Sequence, residues 1–136
     1  MLRRSTALGL TLALAACAGR EATRRLTVVV DVGAAASVCE DPGGIDLKGV
    51  DVSVADREGN VLAQAALGAG QPPTGPPASL VAVCRFEAVV EVPDRPPFAV
   101  TVDRGPPVTY TRRDLEQFRW IVSYPAWELP ALAPAG

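Results

Sequence analysis

A two-residue alternation of apolar and polar side chains constrains this chain more than any other feature, and it recurs in at least five segments. From Arg25 onward, Leu26, Val28, Val30 and Val32 share one parity, while Thr27 and Asp31 fall on the other. Successive side chains of a strand point to opposite faces, so this spacing predicts a half-buried strand. Val50, Val52 and Val54 alternate with Asp51 and Ser53 in a second strand. Asp56-Arg57-Glu58-Gly59 suits a type I turn closed by a glycine in the left-handed region, and Val61, Ala63, Ala65 and Leu67 continue as the returning strand. Leu80 to Val92 is the longest candidate. Ala82, Cys84, Phe86, Ala88, Val90 and Val92 line one face, with Arg85, Glu87 and Glu91 on the other.

Glycine and proline separate these segments. Gly33 to Gly44 is a small-residue loop, and Gly68 to Ser79 is a Pro/Gly-rich loop whose prolines cannot donate to a ladder. Pro93 to Pro97 connects to a strand marked by Phe98, Val100 and Val102, which ends at Arg104-Gly105-Pro106-Pro107. After Val108 to Tyr110, Thr111 and Asp114 have the spacing of a capping box, which predicts one or two helical turns to Phe118 with Leu115 and Phe118 packing together. Trp120, Val122 and Tyr124 give a closing strand. The pattern predicts an all-β sandwich or barrel of six to seven strands, with one short helix before the last strand. Trp120 and Tyr124 are expected in the core and Trp127 on the surface, the alternative being an aromatic patch for a carbohydrate or protein partner.

The N-terminus has a different character. Arg3 and Arg4 precede twelve uncharged, mostly apolar residues, Ser5 to Ala16, and then Cys17. A helix of that length rises about 18 Å against a hydrocarbon core of roughly 30 Å, so the segment fits a signal peptide and not a retained membrane span. Leu14-Ala15-Ala16-Cys17 resembles the bacterial lipobox, which implies lipidation of the Cys17 thiol and cleavage before it. Two acyl chains hold a protein stably where one gives marginal, reversible binding. The alternative is an ordinary signal cleavage nearby, with Cys17 an incidental thiol. The expected organisation is a signal peptide at 1–16, a tether at 17–24, a β-domain at 25–125 and a frayed Ala/Pro tail at 126–136.

Charge and residue inventory narrow the function. Without residues 1–16, which carry Arg3, Arg4 and no acid, eleven basic residues stand against fifteen acidic ones, a net of −4. Scattered arginines on a mildly acidic protein predict no nucleic-acid partner and no electrostatic attraction to anionic lipid. There is no histidine, so the chain has no Ser-His-Asp or Cys-His pair and no imidazole for zinc. Lys48, the sole lysine, sits beside Gly49 at a strand entrance and reads as a solvated turn residue, not half of a Ser–Lys dyad. Glu87 and Glu91 share one outer parity and do not oppose each other across a cleft as glycoside hydrolysis needs. Glu40, Asp41 and Asp46 offer oxygens for calcium without the spacing of a calcium loop. The expectation is a non-enzyme without metal or cofactor.

Cys39, Gly43-Gly44-Ile45-Asp46, Gly49 to Asp56 with Val52 and Val54, and Gly59 form one run of motifs. Cys84-Arg85-Phe86, Arg104-Gly105 and Tyr110-Thr111 with Leu115 form another. Across roughly residues 26–124 the chain resembles a group of small secreted or lipid-anchored β-proteins of high-GC Gram-positive bacteria with no assigned activity. It departs from the group at Ile45, where an aromatic is usual, and at Phe98, where a tyrosine is usual. The resemblance implies fold, disulfide and location. Export to an oxidising compartment, with Cys17 lipidated, leaves Cys39 and Cys84 to pair, the alternative being two buried free thiols. The expected role is a membrane-anchored, extracytoplasmic binding or structural module for an envelope protein. A carrier of a small apolar ligand, with a pocket lined by Phe86, Phe98 and Trp120, is the alternative, and an accessory domain of an envelope enzyme a further one.

Overall fold

Each alternating segment becomes a strand in a computed structural model, which describes residues 22–33, 39, 46–72, 83–126 and 129. In chain order the elements are β1 (Thr23–Gly33), β2 (Asp51–Ala55), β3 (Val61–Ala66), β4 (Val83–Pro93), β5 (Phe98–Val102), β6 (Val108–Tyr110), α1 (Arg112–Gln117) and β7 (Ile121–Ser123). They form two sheets, β4-β1-β7 and β3-β2-β5-β6, packed as a sandwich and not closed into a barrel. β1 runs antiparallel to β4 from Thr23 opposite Pro93 to Gly33 opposite Val83, and parallel to β7 over Thr27 to Val29. The ladder opens at Thr23, two residues before the alternation becomes visible at Arg25. Leu80 to Ala82, which the sequence assigns to the fourth strand, lie outside the described residues.

The predicted parity fills the space between the sheets. Leu26, Val28, Val30 and Val32 meet Phe86, Ala88, Val90 and Val92 in the core, with Val52, Val54, Phe98, Val100 and Val102 arriving from the second sheet. Phe98 and Trp120 touch edge to face, with ring centroids 6.0 Å apart. Trp120 and Tyr124 are both buried, as expected, while Trp127 lies outside the described residues. Leu129, within the stretch expected to fray, is buried against the same core.

Both lateral sides of the sandwich are tied. Past β3 the chain crosses to the free edge of β4, where Gly68 N–H donates to the Glu87 carbonyl and Gln71 exchanges two hydrogen bonds with Arg85. On the other side α1 carries the chain from β6 to β7. The capping box forms as predicted: Asp114 N–H donates to the Thr111 hydroxyl, and Thr111 N–H donates to the Asp114 carboxylate.

Glycine is required at two turns for different reasons. Gly59 has φ +87° and closes the Asp56 turn, in which the Asp56 carboxylate accepts from Glu58 N–H and Asn60 N–H. At Gly105 a Cβ would collide with the Tyr124 hydroxyl, which donates to the Pro106 carbonyl.

Three local expectations need correction. Val61 does not share the inner face with Ala63 and Ala65. The register shifts between Val54 and Ala55, so Val61 stands opposite Ala55 and is exposed, while Leu62 packs against the core. Phe118 is not buried with Leu115. The helix stops at Gln117, Arg119 and Trp120 adopt φ of 56° and 63°, and this reversal turns Phe118 outward and Trp120 inward. Trp120 and Tyr124 flank the last strand, whose ladder holds only Ile121 to Ser123.

Cys39 and Cys84 form a disulfide with Cα atoms 5.4 Å apart and a sequence separation of 45. Closing a loop of that length removes roughly 4 kcal/mol of unfolded-chain entropy in the chain-entropy account. Replacing both cysteines by alanine should therefore lower unfolding free energy by about 2–4 kcal/mol in a denaturant titration against the disulfide-bonded protein. An unchanged midpoint would contradict this account of the bridge.

Candidate functional site

The outward parity of the three-stranded sheet is not uniformly polar. Its register sets Val89, Thr27 and Ile121 in one row, and Glu87, Val29 and Ser123 in the next. Asp31 stands opposite Arg85 in the row after that. Val29 is only 3% exposed although it points away from the sandwich core. Val89 and Ile121 are 51% and 45% exposed, and Phe118, just past the helix, is 59% exposed. Isolated surface apolar residues are ordinary, whereas a contiguous group on one face marks an interaction site.

Beside these residues lies an open groove of about 550 Å³. Val29 lies at its floor and the β7 residues Ile121 to Ser123 border it; Thr109, Tyr110, Asp114 and Phe118 line one side, and Asp31, Arg85 and Glu87 the other. It therefore spans the seam where the edge of one sheet meets the edge of the other. The Tyr110 hydroxyl closes that seam by donating to the Ser123 carbonyl at 2.6 Å. Burial first, and then the neighbouring Tyr124 and Asp114, push the Tyr110 phenol up to about 12, so it stays a neutral donor at physiological pH.

The charged wall is equally fixed. Arg85 Nε and Nη2 donate to the two carboxylate oxygens of Asp31 at 2.7 and 2.9 Å, a bidentate pair on facing strands. Hydrogen bonding to Asp31 holds the Arg85 guanidinium above its ordinary value, against its partial burial, and the charges of Asp31 and Glu87 add to the effect. Asp114 is held below the usual carboxylate range by Thr111, whose backbone N–H contributes most and whose hydroxyl adds to it. Arg85 and Asp114 are thus each held in their charged forms.

Of the residues singled out from sequence, Glu87 lines the groove and the other described ones fall elsewhere. Lys48 is exposed in the turn before β2, where its backbone N–H donates to Asp46. Glu91 is exposed on the outer face and accepts from the Thr23 hydroxyl; Glu87 is on the same face and reaches the groove. Cys17, Glu40 and Asp41 lie outside the described residues. Phe86, Phe98 and Trp120 are 2%, 0% and 3% exposed in the core, on the opposite side of β1 from the groove. Sequence reasoning missed Val29, Tyr110, Phe118 and Ile121 as one site. A signal for part of it was present. Val28-Val29-Val30, Val89-Val90 and Ile121-Val122 are apolar runs that break the alternation in each strand of this sheet.

Tyr110→Phe keeps the ring but removes the donor, and should cost about 1 kcal/mol of stability. The phenol also gives a pH signature. Between its ordinary value of 10 and about 12, the unfolded chain ionises while the fold retains the proton, so stability declines as pH rises through that window. Thermal melts should show a lower neutral-pH melting temperature and a shallower alkaline decline in the variant. Identical curves would contradict the proposed role of Tyr110.

Protein-family models, curated proteins and solved structures were each compared with this chain, and none matches it.

Proposed function

We propose that this chain is an exported lipoprotein, tethered through Cys17 to the outer face of the cytoplasmic membrane, whose sandwich is a non-enzymatic module that binds another envelope protein. The observation that carries the binding part is the groove with exposed Phe118 and Ile121 at its rim and Val89 in the adjoining row. Large exposed apolar residues gathered on one face are characteristic of protein interaction sites. The location rests on Leu14-Ala15-Ala16-Cys17 behind Arg3 and Arg4, and on the resemblance to lipid-anchored β-proteins. A disulfide between Cys39 and Cys84 is in keeping with an oxidising compartment.

Chain geometry limits where the partner sits. Six residue steps separate Cys17 from Thr23, the first residue of β1, a reach of at most about 20 Å. A domain so tethered meets partners that are in the membrane or close to its surface. The apolar-carrier alternative gains nothing from Phe86, Phe98 and Trp120, which are buried in the core beside one another's strands.

Two measurements on the expressed full chain test this reading. Wild type should partition into detergent and carry the mass of a diacylglycerol, whereas Cys17→Ser should lose that mass. Equal partitioning of the two forms contradicts the anchor. In crosslinked membranes, Ile121→Asp should abolish a partner adduct while costing about 1 kcal/mol of stability, as for aspartate in a strand, with the fold retained. An adduct of unchanged yield contradicts the binding face.

A further inference from the structure

We infer that the partner segment seated in this groove is cationic and apolar: one large apolar side chain against Val29, Phe118 and Ile121, with lysine or arginine beside it facing Glu87 and Asp114. The inference rests on the reading that this face binds a protein, and it adds the chemistry of that protein.

Charge complementarity carries the argument. Three carboxylates, Asp31, Glu87 and Asp114, border the groove against one cation, Arg85, leaving a net of −2. Arg85 already gives two donors to the two oxygens of Asp31, so that pair is close to neutral as seen by a ligand. Glu87 on β4 and Asp114 at the start of α1 remain, on opposite walls of an apolar floor. Glu87 is exposed and Asp114 partly exposed, so both can meet a cation without the large penalty of a fully buried pair. An anionic segment, or a nucleic acid, would meet repulsion from both walls.

The strand edge is partly occupied. Along β7 the Ile121 N–H donates to the Phe118 carbonyl, and the Ser123 carbonyl accepts from Tyr110. A partner therefore reads the groove through side chains and not by adding a strand to β7. A space of about 550 Å³ is of the size that holds a few side chains. Phe118 is the natural anchor: an exposed aromatic ring already oriented by the turn at Arg119 and Trp120.

The test uses the purified, lipidated full-length product in detergent micelles and three synthetic peptides. One carries lysines on both sides of a phenylalanine, the second replaces its lysines with glutamates, and the third replaces its phenylalanine with serine. Fluorescence anisotropy should give binding of the first peptide alone. Phe118→Ala should weaken it by about tenfold or more, as for a central aromatic anchor. Glu87→Gln should weaken it by about threefold, an effect that added salt erases. Equal binding of the lysine and glutamate peptides, or binding indifferent to Phe118, overturns the inference. A partner adduct that depends on Ile121, together with no preference for the lysine peptide, also overturns it while leaving the binding face intact. Neither adduct nor peptide binding removes both.

Discussion

The antiparallel ladder between β1 and β4 is the interaction on which the rest of the molecule depends. It runs for eleven residues on each strand, and β1 is the central strand of its three-stranded sheet. In this register Val28 faces Ala88, Val30 faces Phe86 and Val32 faces Cys84, all on the core side. The same register puts Val29 opposite Glu87 and Asp31 opposite Arg85 on the outer side. A slip of β1 by one residue would turn all of its side chains to the other face while those of β4 stayed in place. It would expose the valines, bury Asp31 away from Arg85, and remove Val32 from beside Cys84. Core, disulfide and groove are thus consequences of one pairing.

The seam between β6 and β7 determines what the outer face becomes. Two consecutive non-glycine residues, Arg119 and Trp120, take up left-handed backbone there, at a cost of roughly 1–2 kcal/mol each. Burial of the Trp120 ring against Phe98, with the Arg24 guanidinium 4.2 Å from the Trp120 centroid on its other contact, offsets that cost. The reversal also fixes Phe118 outside the core, at the rim of the groove. Backbone strain of this kind often accompanies a functional surface, and here the strained turn and the exposed aromatic are adjacent.

Much of the sandwich was legible because the parity of Leu26, Val28, Val30 and Val32, and of Cys84 to Val92, is unbroken over long strands. Parity names the residues that share a face and leaves open which strands pair. The parallel contact of β1 with β7 joins residues almost a hundred positions apart, and no local signal encodes it. The displaced Val61 follows from a bulge, which inserts a residue without changing composition. The expected packing of Phe118 on Leu115 extends three-residue spacing past the end of a helix that is six residues long. The groove was legible in part, in the valines and isoleucine that interrupt the alternation. Its charged wall was not, since Asp31 and Arg85 are 54 positions apart and meet only through the ladder.

The central claim is that β1 separates two apolar environments, a sealed core on one side and a partner-binding floor on the other. A photo-crosslinking amino acid placed singly at Val89, Phe118 and Ile121, with Val61 on the second sheet as an equally exposed control, tests it in intact membranes. The account predicts adducts of one partner from the first three positions and none from Val61. Adducts of equal yield from Val61, or none from any position on the outer face of β4-β1-β7, would contradict it.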